Sequence, residues 1–192
     1  MNRYVMKSIP NILSVLRIVI APFLLYLAWN GHKYIFIALL IVSLLSDAID
    51  GFIARKFNAS TETGAKLDSL GDMATYLTVP FCAWWLWPEI LKREAPYFFL
   101  AIGAYIIPLA AGILKFRKVP SYHTYGAKIS AIIMSIAILF LFIAEFTLFF
   151  TLASIFHVII ALEEVLITFQ LHELRSNVKS IWHLNNELTT HP

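Results

Sequence analysis

The sequence predicts an all-α polytopic membrane protein, with six transmembrane helices behind a short N-terminal interfacial helix. Three observations predict it. The 192 residues are 59% hydrophobic and only 14% charged, with a mean hydropathy of +0.74, whereas a soluble domain carries about 25% charged residues. The apolar residues gather in segments long enough, or nearly so, to cross a hydrocarbon core about 30 Å thick at about 1.5 Å per residue. Threading those segments through a membrane then places the basic residues almost entirely on one side.

The leading residues MNRYVMKSIP suit a short interfacial helix. Arg3 and Lys7 ahead of an apolar run resemble a signal peptide, but no small-residue cleavage site follows, so the expectation is a retained first helix. The spans run approximately Leu13–Trp29, Tyr34–Ile49, Leu67–Trp87, Tyr97–Phe116, Ile129–Ala144 and Phe146–Phe169. Asn30-Gly31 punctuates the first pair, and Pro88 to Pro96 separates the third from the fourth. Glu145 and a local dip in hydropathy divide the last two. No repeat or low-complexity segment is visible, and residues 1–192 read as a single membrane domain.

With the N-terminus in the cytosol, six spans return the C-terminus there. The cytosolic side then holds Arg3, Lys7, Arg17, Arg55, Lys56, Lys66, Lys115, Arg117, Lys118, Lys128, Arg175 and Lys179. The far side keeps Lys33, Lys92 and Arg93, a clear positive-inside bias. A net charge of +3 suits a cytosolic face that meets anionic lipid. No basic stripe with interleaved aromatics points to nucleic acid. Cys82, the single cysteine, lies in an apolar run and reads as a packing residue; there is no disulfide framework and no thiolate metal site.

One stretch breaks the apolar pattern: SDAIDGFIARKFNASTETGAKLDSLGD, Ser46 to Asp72. Asp47 and Asp50 are spaced i, i+3, and Asp68 and Asp72 are spaced i, i+4, so each pair shares a helix face. The first pair ends the second span and the second pair begins the third, so all four carboxylates converge between antiparallel helices at the cytosolic boundary. Four like charges at close quarters repel and need cations. Oxygen-only ligation favours Mg²⁺, Mn²⁺ or Ca²⁺ over zinc, and two cations sharing carboxylates suit phosphoryl displacement. Gly51 and Gly64 permit close backbone approach to a phosphate. Ala54 keeps the same face open, and Arg55 is placed to pair with a phosphate. The residues read as a metal–diphosphate site at a membrane surface. The plainer reading, solvated charges at the ends of two spans, explains one aspartate pair easily. It does not explain eight fixed positions, whose chance match is on the order of 10⁻⁹ per start position.

Those eight positions, D-x-x-D-G-x-x-A-R and then G-x-x-x-D-x-x-x-D, resemble the signature of the CDP-alcohol phosphotransferase family, with its spacing intact. PNILSVLRIVIAP, Pro10 to Pro22, is similar to the family's first helix, where threonine often stands in place of Ser14. The resemblance implies transfer of the phosphatidyl group of CDP-diacylglycerol to a small alcohol with release of CMP. It implies that Asp47, Asp50, Asp68 and Asp72 hold two divalent cations, Mg²⁺ or Mn²⁺. Asp50, Gly51, Ala54, Arg55, Gly64 and Asp68 would form the CDP pocket, and Asp72 would be the general base. A homodimer in the cytoplasmic membrane is implied in the same way.

The acceptor is less plainly written. KFRKVPSYHTYGAK places Lys115, Arg117, Lys118 and Lys128 on the cytosolic side, which suits an anionic alcohol such as glycerol 3-phosphate or inositol phosphate; positive-inside topology explains the same charges. The first helix resembles phosphatidylglycerophosphate synthases. Those usually carry proline and lysine where this chain has Ser69 and Met73, while GAKLDS resembles inositol-type members. Inositol and serine are further alternatives. Arg17, one turn into the first span, either snorkels to the interface or meets a phosphate. Glu163 and Glu164 fall inside the sixth span, lining a polar cavity or pairing with a base. His123 and His157 read as surface or packing residues, and Trp84, Trp85 and Trp87 as an aromatic belt. A cation transporter would place its acids near mid-membrane and in paired repeats, whereas these stand at one end. An inactive assembly subunit would be expected to show a degraded motif, and this one is intact.

Overall fold

The structure, a computed structural model, describes residues 3–56, 62–120, 122, 124–175, 178 and 180–184. Among them are six long α-helices and no strand: α1 (Arg3–Trp29), α2 (Lys33–Lys56), α3 (Glu62–Leu86), α4 (Pro88–Phe116), α5 (Tyr125–Ala144) and α6 (Thr147–Gln170). The helices outrun the apolar segments that announced them. α1 is continuous from Arg3, so residues 3–10 are its first turns and not a separate helix. α4 starts at Pro88 and runs through Pro96, which is inside the helix and not in a turn. Proline is well suited to the first helical position because its missing N–H would have no partner there. At Pro96 the helix forgoes one hydrogen bond.

α1, α4, α5 and α6 are long and apolar enough to cross a membrane. α2 and α3 have the length, and each carries two of the aspartates. Their charge-free runs, Tyr34 to Ser46 and Met73 to Leu86, rise about 20 Å each, short of the roughly 30 Å core.

The chain divides after Arg93 into two compact units. In the first, α1 packs along both α2 and α3, while α2 and α3 touch each other little. α1 is thus the element between the two helices that carry the aspartates. It closes with a left-handed Gly31 (φ 75°). The His32 N–H donates to the Leu27 carbonyl (2.9 Å) and the Gly31 N–H to that of Ala28 (3.1 Å), the Schellman pattern. That turn sends α2 back alongside α1. Leu24, Ala28, Phe36, Leu40, Cys82 and Ala83 form the buried interior, so Cys82 packs as expected. Beside them Trp29 meets Trp85 edge-on at 5.2 Å, and Lys33 lies over the Trp87 ring at 5.5 Å. Trp84 is exposed, and Trp85 more than a third so.

In the second unit, α5 and α6 pack as a pair around Met134, Ala137, Leu141, Phe150 and Ala153. Small residues let the two backbones approach closely, as membrane helix pairs require. A Cβ on Gly126 would run into the Ile160 side chain. Thr124 caps α5 by accepting from the Ala127 N–H (3.0 Å). Glu145, at φ 51°, ends it where the dip in hydropathy suggested. Ser130 Oγ lies 2.7 Å from His157 Nδ1, so His157 joins the two helices. The Glu163 carboxylate accepts the Ile181 N–H at 3.1 Å and has no ion pair among the described residues. The chain beyond α6 thereby folds back, and Val178 and Leu184 join Tyr122, Ile167 and Leu171 in a small apolar cluster. Tyr122 Oη and Thr168 Oγ1 bond at 2.8 Å within it.

Candidate metal–diphosphate site

The site lies in the first unit. α2 continues two turns past Asp47, and Asp68 is already in the second turn of α3, so all four aspartates stand on helix and not in the intervening loop. The i, i+3 and i, i+4 spacings direct each pair to one face. One carboxylate oxygen from each of Asp47, Asp50 and Asp68 lies within 4.8 Å of the others. Asp72 joins the group through a shared partner that the sequence reading left undecided, Arg17 of α1.

Arg17 Nη1 donates to Asp47 Oδ1 (2.6 Å) and to Asp72 Oδ1 (2.5 Å). Nη2 donates to Asp50 Oδ2 (3.0 Å) and to Asp68 Oδ1 (2.5 Å). Each nitrogen therefore bridges α2 and α3, and the earlier aspartate of one helix stands level with the later aspartate of the other. That is the register of antiparallel neighbours. Arg17 is 2% exposed, so it does not snorkel to the interface. An arginine inside a span is costly unless partnered, and here its partners are the acids themselves. Its Nε is buried without a hydrogen-bond partner among the described residues. The head group rests on Gly71: a Cβ there would stand 3.3 Å from Arg17 Cζ and Nε and from the Ser14 carbonyl. Ser14 Oγ lies 3.3 Å from Asp50 Oδ2 and 3.1 Å from the Pro10 carbonyl, sharing its one proton between them.

One guanidinium against four carboxylates leaves three negative charges when all are ionised. The Asp50 side chain is the deepest at 4% exposed, while Asp47, Asp68 and Asp72 are 39%, 29% and 34% exposed. The cluster is thus closed behind Asp50 and open in front. Its donors fit a hard divalent cation. They are all carboxylate oxygens, and oxygens on opposite sides of such an ion lie about 4–5 Å apart, which matches their mutual separation.

Gly64 stands in the first turn of α3. Gly51, Ala54 and Arg55 fall in the last turns of α2, and the placement of their side chains lies outside the described residues, as does His123. Arg117, Lys118 and Lys128 belong to the second unit: the first two follow α4 and are exposed, and Lys128 is half-buried in the first turn of α5. Sequence reasoning missed the partnership of Arg17 and the role of Gly71. The available signal was an uncompensated arginine in a span, for which the only dense group of acids was this one.

The model of the CDP-alcohol phosphatidyltransferase family matches residues 7–170. A CDP-diacylglycerol--glycerol-3-phosphate 3-phosphatidyltransferase of Aquifex aeolicus is 31% identical over 139 residues, 69% of this chain and 74% of that protein. A putative cardiolipin synthase of Mycobacterium tuberculosis is 35% identical over 96 residues, 46% of each chain. A probable phosphatidylglycerophosphate synthase of the same organism is 26% identical over 144 residues, 68% of this chain and 64% of its own length. The match thus spans about half of the cardiolipin synthase and about two thirds or more of the other two. No solved structure matches. With the eight signature residues on α2 and α3 and the family match covering most of the chain, the protein belongs to the CDP-alcohol phosphatidyltransferase family.

Proposed function

We propose that the protein transfers the phosphatidyl group of CDP-diacylglycerol to glycerol 3-phosphate, releasing CMP. The observation that carries this reading is the gathering of four carboxylates from two helices at one open-fronted site. Two divalent cations held by Asp47, Asp50, Asp68 and Asp72 would neutralise the diphosphate and the departing CMP. Asp72 takes the proton of the acceptor hydroxyl as its oxygen bonds to the phosphatidyl phosphorus and the bond from that phosphorus to CMP breaks. Asp50, Gly51, Ala54, Arg55, Gly64 and Asp68 form the CDP pocket. Lys128, Arg117 and Lys118 supply positive charge for an anionic acceptor. The names of the Aquifex and the last-mentioned Mycobacterium relatives support the glycerol 3-phosphate acceptor.

In this reading the chain is one membrane domain and α2 and α3 also cross, giving six spans with both termini and the site on the cytosolic side. The acids then open a polar cavity at the point where the short apolar runs of α2 and α3 give out. The protein acts as a homodimer in the cytoplasmic membrane.

The test is CMP release by purified protein given CDP-diacylglycerol, Mg²⁺ or Mn²⁺, and one acceptor at a time: glycerol 3-phosphate, inositol phosphate, inositol, serine or phosphatidylglycerol. CMP formed with glycerol 3-phosphate, together with a phosphatidylglycerophosphate product, is the expected result. CMP formed only with another alcohol would reassign the acceptor. No CMP with any of them, alongside cation uptake into liposomes, would replace the enzyme reading with a transporter.

A further inference from the structure

Arg17 already holds one oxygen of each carboxylate that a cation at this site would use. Its two Nη atoms take Asp47 Oδ1, Asp72 Oδ1, Asp50 Oδ2 and Asp68 Oδ1 at 2.5–3.0 Å. Three of those residues supply the oxygens that lie within 4.8 Å of one another. A guanidinium and a metal ion cannot occupy the centre of one donor set together, and two positive charges a few ångströms apart repel strongly away from bulk water. The surroundings of Arg17 are shaped for it. Gly71 leaves room where a Cβ would press on Cζ and Nε, and the head group is 2% exposed. Both Nη atoms are fully engaged while Nε, also buried, has no partner among the described residues, so the hydrogen bonds that hold the head group there come from the acids.

We propose that Arg17 is an internal counter-cation that competes with divalent metal for the four aspartates and thereby sets the metal affinity of the site. This rests on the metal-site reading given above. Without metal, Arg17 holds α2 and α3 against the repulsion of their acids. When a cation takes the oxygens, the guanidinium gives them up and becomes free to pair with an anion. The diphosphate that accompanies the metal is an anion whose geometry a guanidinium matches in bidentate fashion. Arg17 is in this account a positioning residue, and its signature is a metal affinity that rises when it is removed.

The experiment titrates Mn²⁺ into the purified full-length protein without nucleotide, reading free Mn²⁺ by electron paramagnetic resonance. It compares the natural protein with Arg17→Gln, Arg17→Lys and Asp68→Asn, and records thermal unfolding of each in EDTA and in Mn²⁺. Arg17→Gln is expected to bind Mn²⁺ about tenfold or more tightly than the natural protein. It should unfold at a lower temperature in EDTA and gain more from Mn²⁺. Arg17→Lys, with a compact charge that cannot bridge all four acids, should fall between the two. If Arg17→Gln binds Mn²⁺ equally or more weakly while Asp68→Asn loses it, competition is overturned and the metal site stands. Should Arg17→Gln fail to fold, the lysine variant decides by the same titration, and affinity equal to or below natural overturns the proposal. No saturable Mn²⁺ binding by any of the proteins would remove the metal-site reading and this inference with it.

Discussion

Asparagine in place of Asp72 is expected to lower CMP release by about 10²–10⁴-fold, the usual contribution of a positioned general base. The substitution keeps an oxygen where Asp72 Oδ1 accepts from Arg17 Nη1 (2.5 Å). The link between α1 and α3 therefore survives, and the folded protein should accumulate normally. What is lost is the ability to take a proton and one negative charge. The turnover number should fall far more than the affinity for CDP-diacylglycerol falls, because the CDP pocket is assigned to other residues. Saturating Mn²⁺ should not restore the rate. Steady-state kinetics with glycerol 3-phosphate as acceptor check this. A variant retaining more than about a tenth of the natural turnover would move the base elsewhere.

Removal of divalent metal should have an effect of the same order. In excess EDTA the rate should drop to background, and Mg²⁺ or Mn²⁺ should restore it, since an all-carboxylate donor set suits hard cations. The charge balance gives this its size: Arg17 offsets only one of the four carboxylates. A diphosphate brought to the uncompensated cluster would meet net negative charge in a half-buried setting, where repulsion is strong. Asp68→Asn should raise the Mg²⁺ concentration needed for half-maximal rate by at least about 10–100-fold, since even outer-shell losses cost that much. Asp50→Asn should do at least the same, because Asp50 is the deepest of the four and has the fewest routes to replacement by water. A metal titration of each variant reads the shift directly.

The aspartate cluster was legible because its information is local. Spacings of three and four residues on helical segments place carboxylates on one face whatever the rest of the chain does. Arg17 was not legible in the same way. Its partners lie 30 to 55 positions away, and nothing in the sequence around it says whether a charge in a span reaches outward to water or inward to acids. Packing of α1 between α2 and α3 decides the matter. Gly71 was hidden for the same reason, since its small size answers to an arginine on another helix. Helix boundaries were misjudged wherever hydropathy stood in for backbone hydrogen bonding. α2 stays helical through Gly51 and Arg55 to Lys56, and α4 stays helical through Pro96, although neither stretch is apolar. Glu163 shows the converse. A carboxylate in an apolar helix suggested a polar cavity or a basic partner, and the contact the structure adds is the Ile181 N–H, which ties Glu163 to the chain beyond α6.

The central claim is that the four aspartates hold divalent cations against the diphosphate of the donor. Its most direct test is the metal preference for a donor in which sulfur replaces a non-bridging oxygen of that diphosphate. The account predicts that with one of the two diastereomers Mg²⁺ supports little CMP release, and that the softer ions Mn²⁺ or Cd²⁺ restore it. Equal rates with Mg²⁺ for the sulfur and oxygen donors, in both diastereomers, would contradict a metal–diphosphate contact at this site.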